Sequence, residues 1–382
     1  MARPPQARSC PLFTPTWRDR APRWSRSWAT EGTPPERNRI MSSQIVSRRV
    51  LLRFGALAGA AGLAPSLGAC VTDDLGTGAA LPEKQSALDV MPVLLVATTR
   101  KPVGNPPRPP YFSSDRGRGL SFAEVRLSPP DRSLLGKVSS VITGDWTIGA
   151  VPKFETGSGA ATAFSQAALG RDVLIYVHGY RESFESAAIS AARLSDGIRF
   201  GGVSGLFTWP SAAATLDYNY DRESALWSRD AFEDLLKALA ASPSGGRINI
   251  VAHSMGTLLT LETLRLLRAE AGEAAMARIG AVVLAAPDID FDLFSNGVAR
   301  LGPDVSKITV ISSTNDRALE LSAALAGGVR AGAADRAKLE ALGVRVADAS
   351  DYGGGLINHD LFLSNPDVQG VVKRAIARGA GV

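Results

Sequence analysis

Cysteine is almost missing from the 382 residues: Cys10 and Cys70 are the only two. A mature chain that begins at Cys70 has no disulfide partner, which excludes a bridge-stapled scaffold. Histidine is nearly as scarce, with His178, His253 and His359 alone. With no cysteine cluster beside them, the ligand spacing of a zinc or other soft-metal site is missing, and no metal is expected. No glycine fingerprint for a nucleotide is present either. "GGVSG" (201–205) lies in a strand approach, and "DYGGGL" (351–356) reads as a loop whose glycines serve as a hinge or let backbone pass close to substrate. No cofactor is expected. No internal repeat at solenoid spacing is visible, which excludes an array.

Lysine is absent from residues 1–69, which hold eleven Arg against only Asp19, Glu31 and Glu36. That front end carries +8, and since the whole chain carries +5, residues 70–382 carry −3. A mildly acidic body without a basic stripe is a poor match for a phosphate backbone, so no nucleic-acid partner is expected.

The front end divides further. Residues 1–40 hold three of the six Trp and eight Arg with no apolar period, and are expected to lie upstream of the natural start at Met41. Residues 41–69 read as a signal peptide. Ser47-Arg48-Arg49-Val50-Leu51-Leu52-Arg53 resembles a twin-arginine export signal, and the Gly/Ala-rich run Phe54 to Ala69 suits an h-region better than a membrane span. Leu67-Gly68-Ala69-Cys70 resembles a bacterial lipobox, which implies lipidation of Cys70 and anchoring of the exported chain to a membrane of the cell envelope. The plain alternative is a cleaved signal with an incidental cysteine. Val71 after the cysteine leans towards the outer membrane by resemblance to enterobacterial sorting. Residues 70–86 read as a polar tether, and 87–382 as the folded domain.

Within that domain a β-rich opening (90–98 and 121–127) precedes a regular alternation from about residue 170. Strands are expected at 172–179, up to Pro210, and at 247–252, 280–286, 307–312 and 344–347. Helices are expected at 183–196, 222–241, 255–269 and around 317–342, with a last one opened by Asn365-Pro366. Apolar strands spaced by helices predict an α/β fold, a mostly parallel central sheet covered on both faces. Sites in such sheets form outside the carboxyl ends of the strands.

One strand end carries a serine, in "RINIVAHSMGTLLTLE" (247–262). A serine hydroxyl needs a base to take its proton and donors to hold the oxyanion that follows. A sharp strand-to-helix turn projects the hydroxyl and aims the first helical N–H groups at an incoming carbonyl oxygen. Such a turn is crowded, so small residues are needed two before and two after; here they are Ala252 and Gly256. The stretch resembles the nucleophile elbow G-x-S-x-G of α/β-hydrolases, with Ala252 for the first glycine. Ser254 is therefore the candidate nucleophile.

His253 adjoins that serine and should point away from its hydroxyl, a structural role. His178 in "VHGYRESF" (177–184) resembles the superfamily's oxyanion loop, which implies backbone donors at Tyr180 and Met255. His359, late in "LINHDLFLSNPDV" (356–368), is left as the base by elimination. The superfamily's chain order, serine then acid then histidine, puts the acid at Asp316 in "KITVISSTNDRALELS" (307–322). Its plain reading is a helix-start carboxylate. Asp288 is the alternative acid and Asp290 a further rival, both in "AAPDIDFD" (285–292).

These strings, with "TWPS" (208–211) and the opening "VLLVATTR" and "RGRGLSFAEVRLSPPD", resemble a bacterial esterase/lipase-like family catalogued as a domain of unknown function, over about 88–370. The resemblance implies the α/β-hydrolase fold with an N-terminal β-hairpin. It also implies a serine hydrolase that cleaves carboxylic esters through an acyl-enzyme. An acyltransferase would use the same triad, and a non-catalytic envelope lipoprotein would keep the fold as a binding scaffold. Tyr218, Asp221 and Tyr220 are expected to cap a helix, or else to line the pocket. No insertion is long enough for a cap domain, so an open cleft for short or medium acyl chains or an envelope polymer ester is expected.

Overall fold

Short apolar runs become strands with both faces covered. Val173–Val177, Ile248–His253, Ile279–Ala285 and Ile308–Ser312 are buried at every position, as strands sandwiched between helices must be. The computed structural model describes residues 92–130, 145–214, 217–243, 245–352 and 359–379, all within one compact unit, Ala79–Val382. The readings of residues 1–91, with the export signal, Cys70 and the tether, lie outside the described residues, as does the glycine run at 353–355.

In chain order the strands are β1 (Val93–Pro102), β2 (Phe112–Ser128), β3 (Thr147–Thr156), β4 (Val173–Val177), β5 (Val203–Thr208), β6 (Ile248–His253), β7 (Ile279–Ala285), β8 (Ile308–Ser312) and β9 (Arg345–Asp348). The helices are α1 (Ala160–Ala167), α2 (Phe184–Gly197), α3 (Tyr218–Trp227), α4 (Arg229–Ala240), α5 (Met255–Met276), α6 (Phe291–Ala299), α7 (Arg317–Ala326), α8 (Arg336–Glu340), α9 (Leu361–Ser364) and α10 (Pro366–Gly379). Among the described residues nine strands make one sheet, ordered β3-β2-β1-β5-β4-β6-β7-β8-β9. β1, β2 and β3 pair antiparallel, and every other pair is parallel. This is the expected α/β sheet with its N-terminal hairpin.

Alternate residues of one strand feed two cores. Ile175, Ile250 and Val282 pack with Phe164 of α1, Phe232 of α4 and Leu264 of α5. Their neighbours Tyr176, Val251 and Val283 pack on the other face with Ala187 and Leu194 of α2 and Val372 of α10. Each large apolar side chain so buried contributes about 1.5–3 kcal/mol.

Several expectations needed correction. β3 and α1 were not foreseen, because "TIGAVPKFET" carries Gly149 and Pro152 and alternates poorly; proline is tolerated there because β3 is an edge strand. The helix expected at 222–241 is two helices, parted at Ser228, whose hydroxyl bonds the Ser224 carbonyl at 2.8 Å and lies 2.8 Å from Thr99 Oγ1. The stretch 317–342 breaks after α7 at Gly327 and Gly328, with φ of 76° and 74°. α5 runs further than expected, with one non-helical residue at Gly272.

The chain reaches β5 on one side of β4 and β6 on the other. At such a reversal a crevice opens beyond the carboxyl ends of the strands. Val177 and Ala252 are cross-strand partners there, so the segments that follow them, 178–183 and 253–256, face the same crevice.

Candidate active site

Ser254 sits between β6 and α5 with φ 51° and ψ −121°, a conformation that costs a non-glycine residue on the order of 1–3 kcal/mol. The sheet holds it there. Its N–H donates to the Ala285 carbonyl at 2.9 Å. Its carbonyl accepts from the Thr257 N–H at 3.1 Å, the Asp288 N–H at 3.3 Å and the Thr257 hydroxyl at 2.6 Å. The small neighbours have steric causes. A Cβ on Gly256 would run into the His178 carbonyl and lie 2.8 Å from that of Val177. A Cβ on Gly179 would lie 2.9 Å from both Ser254 Cβ and His253 Nδ1.

Asp316 touches both a helix start and His359. It is 1% exposed; Oδ1 caps α7, accepting from the Ala318 and Leu319 N–H groups at 3.0 and 3.2 Å. Oδ2 lies 2.7 Å from His359 Nδ1. A carboxylate can only accept, so the proton of this contact sits on Nδ1, an arrangement that leaves the lone pair of an uncharged ring on Nε2. Ser254 and His359 line one cavity of about 580 Å³. Among the described residues no hydrogen bond joins the two.

Asp288 is not the partner of His359. Its Oδ2 accepts from Tyr218 Oη at 2.9 Å and its Oδ1 from the Ser322 hydroxyl, and Arg330 Nε lies 3.3 Å from Oδ1 in a pair that is almost fully buried. Both oxygens are engaged away from the imidazole, although Asp288 and Tyr218 do line the cavity. Burial, then the Asp288 charge, raise the Tyr218 phenol above its ordinary pKa. Asp290 caps α6 through the Asp292 and Leu293 N–H groups.

The loop that follows β4 is held from behind. His178 is fully buried and stacked on Trp209, ring centroids 4.7 Å apart. The Trp209 N–H donates to Nε2 at 3.1 Å, so Nδ1 carries the proton and donates to the Gly179 carbonyl at 2.9 Å. Burial, with the Arg100 charge, pushes the His178 imidazole down to about 3, so it stays neutral. Tyr180 lines the cavity. Met255 opens α5, so its N–H belongs to the first-turn donors that have no intrahelical acceptor.

Two further residues, Arg100 and Asp221, serve this loop beyond what the sequence foretold. Arg100, buried at the end of β1, donates from Nη2 to the Glu182 carbonyl at 2.6 Å and from Nε to Thr208 Oγ1 at 2.8 Å. Asp221 neither caps a helix nor lines the cavity. It accepts from the Arg181 N–H at 3.1 Å, the Ala212 N–H at 2.7 Å and the Ser211 hydroxyl at 2.6 Å, tying two loops together. His253 does point away from the serine, but its Nε2 donates to the His359 carbonyl at 3.0 Å and the two rings lie 4.6 Å apart. Burial, and secondarily His359, hold the His253 imidazole well below its ordinary pKa. Tyr220 faces solvent and donates to the Ser114 carbonyl. Among the described residues no three His, Cys, Asp or Glu side chains are grouped to hold a metal ion.

Comparison with known proteins fits this architecture. Residues 160–378 match a family described as "Alpha/beta hydrolase of unknown function (DUF900)". A protein of Nostoc sp. described as uncharacterized is 36% identical over 67 residues; the match spans 18% of this chain and only 17% of that relative. Among solved structures, dienelactone hydrolase from Anabaena variabilis is 12% identical with a TM-score of 0.37, the alignment covering 69% of this chain and 94% of that one. A cutinase-like protein from Cryptococcus sp. is 19% identical with a TM-score of 0.33, covering 55% and 95%. The family match spans more than half of the chain. The chain belongs to this family of alpha/beta hydrolases.

Proposed function

We propose that the protein is a serine hydrolase that cleaves carboxylic esters through an acyl-enzyme. The observation that carries the reading is the 2.7 Å contact between Asp316 and His359 Nδ1, with His359 and the strained Ser254 facing one cavity. In this mechanism Ser254 Oγ attacks the ester carbonyl carbon while its proton passes to His359 Nε2. Asp316 holds the ring in the needed tautomer and stabilises the imidazolium. The Tyr180 and Met255 N–H groups hold the oxyanion, each such donor supplying about 3–4 kcal/mol at the transition state. Collapse breaks the bond to the leaving alcohol, which takes the proton from Nε2. Water, activated by the same nitrogen, then releases the acid and restores the serine.

Transfer of the acyl group to another alcohol would use the same groups, with that alcohol in place of water. A scaffold without activity has no use for a backbone strained at one serine. Turnover of p-nitrophenyl butyrate is expected from wild type, and Ser254→Ala should lower it about 10⁵–10⁶-fold with an unchanged melting temperature. Equal rates from the two proteins would refute the assignment. The arginine pair at 48–49 and Cys70 support export and lipid anchoring in the cell envelope. Incorporation of labelled fatty acid should be lost in Cys70→Ser; a label retained in that variant refutes the anchor.

A further inference from the structure

The stretch Thr98-Thr99-Arg100, near the end of β1, has no part in the chemistry above, yet it buries a charge. Arg100 is 1% exposed, and every hydrogen bond of its guanidinium goes to a hydroxyl or a main-chain carbonyl. A cation taken out of water is costly unless its donors are used, so what those donors hold shows what the charge is for. Nε donates to Thr208 Oγ1 at 2.8 Å and Nη2 to the Glu182 carbonyl at 2.6 Å. Thr98 fixes β1 beside β5: its hydroxyl donates to the Thr208 carbonyl at 2.9 Å and accepts from the Arg100 N–H at 3.0 Å. From Thr208 onward the direction of every proton is determined. Arg100 only donates, so the Thr208 hydroxyl accepts from it and turns its own proton to His178 Nε2, 2.9 Å away. Nε2 also takes the Trp209 N–H, which leaves the ring proton on Nδ1, bonded to the Gly179 carbonyl at 2.9 Å. That carbonyl shares a peptide plane with the Tyr180 N–H. The peptide is trans, so the two point in opposite directions, and the buried ring directs the Tyr180 N–H away from itself.

Resting on the ester-hydrolase reading, we infer that Arg100 and Thr208 are positioning residues: they set the polarity of a hydrogen-bonded chain, Arg100 to Thr208 to His178 to Gly179, that ends on the Tyr180 N–H and presents it to the oxyanion. The positive charge at one end polarises each bond in turn. Negative charge develops at the other end, where a preset donor acts most strongly. The bond from Arg100 to the Glu182 carbonyl holds the far side of the same loop. Burial, and then the Arg100 charge, keep the His178 imidazole down to about 3, so no second ring proton reverses the chain. A guanidinium that only stapled β1 to its neighbours would change stability and leave turnover of the folded protein intact.

The test follows turnover of p-nitrophenyl butyrate together with inhibition by butyl trifluoromethyl ketone. The ketone carbon takes Ser254 Oγ while the hydroxyl proton moves to His359 Nε2, which leaves an oxyanion and expels nothing. Thr208→Val keeps the side-chain shape and removes the hydroxyl from the chain. It should lower kcat about tenfold at nearly constant KM and weaken the ketone by a similar factor. The pH dependence of kcat/KM should stay in place, because His359 is outside the chain. Thr208→Ser restores the hydroxyl and should recover both values. Arg100→Gln should lose about 100-fold in kcat, and Arg100→Lys, which keeps the charge on a single arm, should fall between it and wild type. The Thr208 pair and Arg100→Lys decide the matter even where Arg100→Gln does not fold. An unchanged kcat in Thr208→Val or Arg100→Lys, equal losses in Thr208→Val and Thr208→Ser, or a lower kcat with the ketone bound as tightly as by wild type overturns the inference. Turnover by wild type that is indifferent to Thr208 sinks only the relay; no turnover by wild type and no phosphonylation of Ser254 sinks the hydrolase reading itself.

Discussion

The proposed nucleophile and its proposed base are held in different ways. Ser254 is fixed by backbone: the Ala285 carbonyl on one side, the Thr257 and Asp288 N–H groups on the other, and the carbonyls of Val177 and His178 pressed against Gly256. His359 is fixed by side chains: Asp316 takes its ring nitrogen and His253 takes its carbonyl. The nucleophile's position is therefore a property of the sheet, and changes only if the sheet yields. The base's position depends on two bonds, each of which a single substitution removes while leaving the sheet intact.

That contrast can be broken or sharpened by substitution. Asp316→Asn should lower kcat about 10³–10⁴-fold with KM little changed, because the asparagine no longer selects the tautomer with a bare Nε2. Asp288→Asn should act on stability instead, losing about 3–5 kcal/mol in a denaturant titration, since Arg330 would stay buried without its carboxylate. A reversed pattern would move the acid to Asp288. Gly256→Ala tests the backbone side. Its methyl group meets main chain that cannot swing aside, and a loss of about 3 kcal/mol is expected; a neutral result would mean that the elbow is not wedged against β4.

His253→Phe keeps a ring beside Phe362 but removes the donor to the His359 carbonyl. The expected effect is a fall in kcat of about 10–100-fold at nearly constant KM, with partial recovery in His253→Gln, which can still donate. A change confined to melting temperature would reduce His253 to a packing residue.

The smallest effect is on pH. His178 and His253 are both depressed by burial, so below about pH 6.5 the unfolded chain binds protons that the folded one refuses. Stability should therefore fall as pH drops, by about 2–3 kcal/mol between pH 7.5 and 5.5 for the two groups together, and His253→Phe should halve the slope. Glu182 and Asp221, raised by burial, work in the opposite sense but nearer the carboxylate range. A flat stability curve across that window would show the imidazoles to be solvated.

What could be read from the sequence follows the same division. The elbow is local: strand, small residues and helix lie within ten positions, so Ser254 and the crowding around it were legible. Asp316 was legible through chain order, and its hydrogen bonds to α7 were equally so. Arg100 was not, because it serves Glu182 and Thr208, which lie 82 and 108 residues away. The Tyr218–Asp288–Ser322–Arg330 network joins four loops and helices, and no spacing announces it. The break at Ser228 was not legible because one of its partners, Thr99, lies 129 residues away on β1.

The proposed chemistry turns on one proton passing from the hydroxyl at 254 to the imidazole at 359. Treatment of the folded protein with a fluorophosphonate, followed by peptide mass analysis, tests it most directly. A single adduct on Ser254, formed quickly in wild type and at least about 10³-fold more slowly in His359→Ala, is the expected result. An unlabelled Ser254, or labelling indifferent to the loss of His359, would contradict it.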